Sequence, residues 1–330
     1  MLFRVDVENR EFDTLSHYAT KSADTRGRAI YETPCRYRTD FQRDRDRIIH
    51  SKAFRRLMHK TQVFLAPEGD HFRTRLTHTL EVAQIARTIS RILGLNEDLT
   101  EAIAMGHDLG HTPFGHNGEM VLNQIHPGGF KHNEQSIRVV EKIEMRSSGR
   151  GLNLTWEVRN GIVNHTGSLK AATPEGQVVN ISDRIAYINH DIDDAIRSGV
   201  LTVDMLPEGP VEFFGDRKSQ RITKMIESVV TNSDGKSEVM MNAHDNQLLL
   251  ELRSFMFETV YTNADVKKIE DVKLAEKIVK FLYNHYISYP EELPDDMKEI
   301  AQEEGISVAA KDYVAGMTDR FAVNKYEELK

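Results

Sequence analysis

The sequence predicts an all-α fold, a helical bundle with a small β-hairpin and a helical C-terminal extension. Three observations carry this reading. Val178, Ile181, Ile185, Ile188, Ile192 and Ile196 recur at steps of three and four, which marks one continuous buried helix face. The stretch that reads as extended is short, Thr61 to Leu65, and pairs across a turn of Pro67, Gly69 and Asp70 with His71 to Thr74. The 330 residues are 39% hydrophobic, enough for a substantial core, and contain no internal repeat, P-loop or Gly-x-Gly-x-x-Gly fingerprint.

Residues 1–40 are polar and weakly periodic and read as an N-terminal arm that wraps the surface or contacts another subunit. Residues 41–200 read as the core and 201–330 as a helical extension packed on it. From Asp44 to Lys60, Ile48, Ile49, Phe54, Leu57 and Met58 predict one helix. The next runs from Leu76 to Gly94 with Leu80, Ala83, Ile85, Ala86, Ile89 and Ile92 on its buried side. Asp98 and Glu101 form a capping box for a helix that ends at His107. Asn133–Met145 and Trp156–Val163 follow as helices, and Lys170–Gly176 as a loop. The helix over 178–196 carries a second line, Asp183, Tyr187 and Asp191 at steps of four, which is either exposed or lines an internal polar site. Helices continue over Ile222–Val230, Asn246–Tyr261, Val266–Tyr286 and Ile306–Asp319.

No run approaches a membrane span, and the N-terminus lacks a signal-peptide pattern, so the expected location is cytoplasmic with no membrane partner. Cys35 is the single cysteine, which excludes an intrachain disulfide and a thiolate metal cluster. A formal charge of −8 disfavours non-specific nucleic-acid binding by the whole surface. Within it, Arg36 to Lys60 holds nine Lys or Arg against three Asp, either a local anion site or a solvated, internally paired helix.

The chemistry concentrates in His107-Asp108-Leu109-Gly110-His111-Thr112-Pro113-Phe114-Gly115-His116-Asn117-Gly118-Glu119. No ordinary core or surface element needs that composition. His107 and Asp108 lie about 100° apart on a helix and can lean toward one point beyond its end. Two helices joined by a short loop bring His78 toward the same point, and Asp183 supplies a further carboxylate. His78, His107, Asp108 and Asp183 together offer two neutral imidazoles and two carboxylates, donors for Mn²⁺ or Mg²⁺ and also for Fe, Ni, Co or Zn. Such a set neutralises a divalent ion and leaves positions open, which suits hydrolysis of a phosphate ester or anhydride. Arg75, three residues before His78, can hold a phosphate.

The spaced His78, His107-Asp108 and Asp183 resemble the HD-domain metal-dependent phosphohydrolases. Arg55-Arg56-Leu57 followed by Gln62, Arg75 to His78, His107 to Glu119, His132 to Ser136, and Asp183 to Tyr187 with Asp191 resemble, in order, the motifs of the deoxyguanosine triphosphate triphosphohydrolase family, which includes dNTPases. The resemblance covers residues 40–200, and beyond them Asp312 to Arg320 is similar to bacterial members. It implies hydrolysis of a dNTP at the α-phosphorus to deoxynucleoside and tripolyphosphate. It implies His78, His107, Asp108 and Asp183 as metal ligands, and His111, Glu119 and His132 as catalytic residues without assigning the proton donor among the histidines. Arg75 and Arg184 match phosphate contacts, Tyr187 and Asp191 contacts to the deoxyribose, and Gln62 a position beside sugar and base. His165 either faces the cleft or serves structure. Homo-oligomers, tetramers or hexamers, are common in the family, and some members have effector-nucleotide sites. The metal ligands alone also permit a 5′-nucleotidase or phosphodiesterase, and a nucleotide-sensing or single-strand-binding protein is the reading from another class.

Overall fold

At several helix starts a side chain accepts one of the first unpaired backbone N–H groups, as Ser51, Thr173, Asn242 and Thr318 do. In this computed structural model, which describes residues 1–61, 73–147, 149–261 and 269–330, the described residues form α1 (Arg4–Thr14), α2 (Asp40–Ile49), α3 (Lys52–Arg56), α4 (Arg75–Ile92), α5 (Glu97–Gly106), α6 (Gly115–Ile125), α7 (His132–Arg138), α8 (Trp156–Val163), α9 (Pro174–Arg197), α10 (Glu208–Phe214), α11 (Lys218–Ser233), α12 (Ala243–Met256), α13 (Ile269–Ser288), α14 (Asp295–Glu304), α15 (Ile306–Ala315) and α16 (Asp319–Leu329). Single π-helical turns follow α7, at Val139–Ile143, and α12, at Phe257–Tyr261. The sheet is one antiparallel pair, β1 (Met145–Arg146) and β2 (Gly149–Arg150), with Met145 opposite Arg150. The fold is therefore all-α, as the periodicity predicts. The hairpin expected over residues 61–74 lies mostly outside the described residues, although Thr61 and Thr74 form an antiparallel bridge at its base.

The helix expected over Ile306–Asp319 ends at Ala315 and that expected over Asn133–Met145 stops before Met145, which enters β1; three further boundaries differ from the sequence reading for a capping reason. The helix expected from Asp44 to Lys60 breaks after Ile49, because Ser51 Oγ accepts from Phe54 N at 3.1 Å and Glu144 accepts from Lys52 N and Ala53 N, starting α3 afresh. Asn96, rather than Asp98, caps α5, its Oδ1 accepting from Leu99 N at 3.1 Å. Asp98 and Glu101 instead accept from Arg45. The loop expected to Gly176 ends at Thr173, whose Oγ1 accepts from Gly176 N, with Pro174 at the first helical position where its missing N–H costs nothing.

The chain divides into two units, unit 1 of Met1–Arg47, His78–Met105 and Leu154–Val266, and unit 2 of Ile48–Thr77, Gly106–Asn153 and Lys267–Lys330. Unit 1 is built on α9, which packs against α8, α11 and α12. Val178, Ile185, Ile188 and Ile192 are fully buried, each burial stabilising by about 1.5–3 kcal/mol. Buried acids tie the first 47 residues into this unit. Glu175 accepts from Thr20 N and Oγ1 and from Asn96 N, and Glu157 accepts from Thr25 Oγ1 and Arg26 N. On α4 the buried line is His78, Val82, Ile85 and Ile89, so Leu80, two residues from each of the first two, is 48% exposed instead of buried. Ile92, at the end of α4, is also exposed.

Unit 2 packs α6 against α13, and α13 against α15 and α16, around Leu122, Val279, Leu282, Ile300 and Val314. Asp312 is buried in it, accepting from Arg138, Lys311 and Gln135. No described helix is long and apolar enough to cross a membrane. Replacing Asp312 by Ala leaves the buried Lys311 without its carboxylate, while Arg138 keeps Glu304, and we expect a loss of about 3–5 kcal/mol in urea unfolding. A midpoint within experimental error of the parent would contradict the role given to this cluster.

Candidate active site

The histidine-rich loop owes its path to three contacts in unit 2. α5 ends at Gly106, so His107 and Asp108 leave a helix terminus, and His111 N donates to Asp108 O at 3.2 Å to close the turn. Gly110 lies directly on α7. Its N–H donates to Ser136 Oγ, which donates to His107 O, and a Cβ there would sit 2.2 Å from Ser136 N. Phe114 then takes a left-handed conformation, φ 61°, disfavoured for a residue with a side chain, and its N–H donates to Asp319 Oδ1 at 3.0 Å.

In this unit Asp108 is the electrostatic centre. Arg75 Nη1 donates to its Oδ2 at 2.9 Å, while His111 Nε2 lies 3.1 Å and His107 Nε2 3.4 Å from its Oδ1. Burial alone would raise its pKa, but His107, His111 and the Arg75 guanidinium hold it well below the usual carboxylate range. His111 stacks on His132 with ring centroids 4.0 Å apart. His132 Nδ1 meets Glu119 Oε1 at 2.9 Å, and its backbone N–H donates to the same oxygen. The two stacked rings are driven apart in basicity. Burial and the charges of Arg75 and His132 push His111 well below its ordinary value. Burial also opposes charge on His132, but the hydrogen bond and charge of Glu119 prevail and raise its pKa. Asp108, His111 and His132 bring one donor atom each within 4.8 Å of one another, a cluster able to hold a metal ion.

Unit 1 carries the remaining candidates. His78 Nε2 lies 3.0 Å from Asp183 Oδ1. Arg184 Nη2 donates to Asn180 Oδ1 at 3.0 Å, and a cavity of about 480 Å³ opens beside Arg184, Asn232 and Asn246. Tyr187 is pushed up to about 12 by burial, with the Arg253 charge acting in the opposite direction. Asp191 is buried and accepts a short hydrogen bond from Tyr261 Oη. His165 is buried too, its Nδ1 2.7 Å from Ile162 O. Gln62 lies outside the described residues.

Three residues escape the sequence reading. His116, 73% exposed, sets Nδ1 3.4 Å from Glu119 Oε2, and its hydrogen bond is the largest influence holding the Glu119 carboxyl well below its ordinary range against burial. Its place inside the histidine-rich stretch is a signal that could have found it. Tyr261 Oη donates to Asp191 from the π-helical turn after α12, the Arg253 charge acts on Tyr187 from α12 itself, and no local pattern marks either.

Comparison with known proteins adds three findings. The HD domain family model matches residues 75–188, and the phosphohydrolase-associated domain model matches 239–328. A deoxyguanosinetriphosphate triphosphohydrolase-like protein of Caldanaerobacter subterraneus subsp. tengcongensis is 56% identical over 100% of this chain and 96% of its own length; like-named proteins of Clostridium perfringens and Geobacter metallireducens are 48% identical over 100% and 98%, and 40% over 98% and 97%. A solved phosphohydrolase structure from Bacteroides thetaiotaomicron has a TM-score of 0.52 at 16% identity, covering 83% of this chain and 66% of that one, a likeness of fold.

The Glu119 contact makes His132 a titratable reporter. By NMR, His132 should titrate above the ordinary imidazole value of about 6.5, and Glu119→Gln should bring it down. An unchanged His132 titration in the variant would show that Glu119 does not set its charge.

Proposed function

We propose, from the premise that this chain belongs to the deoxyguanosinetriphosphate triphosphohydrolase-like family of HD-domain proteins, that it is a metal-dependent deoxynucleoside triphosphate triphosphohydrolase acting at the α-phosphorus. The observation that carries the reading is the His132–Glu119 pair stacked on His111. His111 is held well below its ordinary pKa, whereas Glu119 raises that of His132 and favours its protonated form. Expelling a 5′ alkoxide from phosphorus needs a proton at the departing oxygen, and His132 is the group poised to supply it.

His78, His107, Asp108 and Asp183 would hold the divalent ion, with Mn²⁺ or Mg²⁺ preferred. Their donor chemistry fits, two imidazoles and two carboxylates; within unit 1 His78 Nε2 lies 3.0 Å from Asp183 Oδ1, and within unit 2 His107 Nε2 lies 3.4 Å from Asp108 Oδ1. When bound, the ion supplies a Lewis acid that lowers the pKa of water and polarises a phosphoryl oxygen. Oxygen from water joins the α-phosphorus as its bond to the 5′ oxygen breaks. The deoxynucleoside leaves protonated and the three phosphates leave as intact tripolyphosphate.

Arg75 and Arg184 serve the phosphates, the first oriented by Asp108 and the second by Asn180. Tyr187 packs where a 2′-hydroxyl would project, and Asp191, fixed by Tyr261, accepts from the 3′-hydroxyl. Gln62 lies beside sugar and base. Assembly as a homo-oligomer in the cytoplasm belongs to the same reading.

Incubation with each dNTP and with GTP, followed by ion-exchange separation of the phosphates, should yield tripolyphosphate from dNTPs alone; orthophosphate or pyrophosphate as the first product would overturn the reaction. Asp183→Ala should lose bound metal and activity together, and parent-level metal in the purified variant would exclude Asp183 as a ligand. His132→Ala should lower kcat by about a hundredfold to ten-thousandfold, the range of one general acid. Because the donor acts protonated, kcat should fall as pH rises through the His132 pKa, and Glu119→Gln should move that fall to lower pH. Tyr187→Ala should chiefly weaken the preference for dNTP over NTP, and an unchanged preference would remove Tyr187 from sugar selection.

A further inference from the structure

α9 buries a histidine that the proposed chemistry does not use. His190 is 3% exposed and follows Asp183 by two turns, on the same side of the helix. A polar ring in that position costs free energy that an apolar side chain would not, so its surroundings must answer it. Two residues of α4 do so. His190 Nδ1 lies 2.9 Å from Glu81 Oε2, and the His190 ring meets the buried His78 ring at nearly a right angle, 84°, with centroids 6.4 Å apart.

These contacts make two rungs between α4 and α9, all within unit 1. His78 faces Asp183 at 3.0 Å, and one turn further along α4 Glu81 faces His190. α11 adds a cation to the second rung: Lys218 Nζ lies 3.8 Å from Glu81 Oε1 and 3.8 Å from Asp193 Oδ2. The second rung bears on the first because the torsion that turns an imidazole is broad and two-fold, without the sharp staggered wells of an aliphatic chain. The plane of a histidine ring is therefore set by what packs against it. At His78 that neighbour is His190, and His190 is in turn set against a carboxylate that Lys218 approaches from the other side. Carboxylates outside the ligand shell commonly orient metal-binding imidazoles, and here the carboxylate acts through a second ring.

We propose that His190 is a positioning residue for the metal site: placed by Glu81, it fixes the plane of the His78 ring so that Nε2 stays turned toward Asp183. The proposal rests on the reading of His78 and Asp183 as metal ligands.

The test is calorimetric titration of Mn²⁺ into the full chain freed of metal with EDTA and dialysed, with no nucleotide present, so that affinity is read apart from turnover. His190→Ala should weaken Mn²⁺ binding about tenfold to a hundredfold, the range for loss of an orienting partner. Glu81→Gln should weaken it in the parent background and change nothing further in His190→Ala, because Glu81 acts through His190; additive losses in the double variant would overturn the proposal. Asp183→Ala separates the two levels of the argument. If it loses Mn²⁺ while His190→Ala binds with parental affinity, the positioning role alone is overturned. If the parent takes up no Mn²⁺, or Asp183→Ala binds it as the parent does, the metal reading falls and the proposal with it. Should His190→Ala fail to fold, the partly exposed Glu81→Gln decides, and parental affinity there would count equally against the role.

Discussion

Asp108 is a charge that unit 2 buries among His107, His111 and the Arg75 guanidinium. The Arg75 and Asp108 side chains are 2% and 4% exposed and meet at 2.9 Å, and a carboxylate left alone in such surroundings would cost several kcal/mol. With Arg75 on one oxygen, the other oxygen faces His107 and His111. His111 is thereby oriented to stack on His132, and His132 to meet Glu119. The unequal basicity of the two stacked imidazoles comes from burial and the Arg75 and His132 charges on His111 and from Glu119 on His132.

The loop carrying these residues is braced by the C-terminal segments of the same unit. Asp319 accepts from Phe114 N and from Thr61 N and Oγ1, and Lys60 bridges His111 O to Ala315 O. A left-handed Phe114 persists because its N–H has a fixed carboxylate partner and its ring joins the apolar cluster of unit 2. Residues 239–328, the phosphohydrolase-associated segment, thus include the brace on which the histidine-rich loop of residues 107–119 rests.

What was legible in the sequence is what leaves a local signature. The stripe from Val178 to Ile192 repeats with the helix, so α9 and its second line of Asp183, Tyr187 and Asp191 could be read directly. The density of histidine and glycine over 107–119 exposed the loop, and the spacing of its outliers exposed the family. Features made by distant partners were hidden. Glu144 restarts the chain at Ser51 from 91 residues away, and Tyr261 bonds Asp191 across 70 residues from a π-helical turn that periodicity does not encode. Leu80 was misplaced because a polar residue, His78, takes the buried line that apolar counting reserves for leucine. Arg75 could be read as a phosphate ligand, but not as the partner of Asp108, because nothing in a sequence says which buried charges meet.

The account rests on cleavage between the α-phosphorus and the 5′ oxygen with water attacking phosphorus. Hydrolysis of a dNTP in ¹⁸O-water with mass analysis of both products tests it directly. The label should appear in tripolyphosphate, with unlabelled deoxynucleoside. Label in the deoxynucleoside would mean attack at carbon, and label in a mono- or diphosphate would mean cleavage elsewhere in the chain; either would contradict the role given to His132.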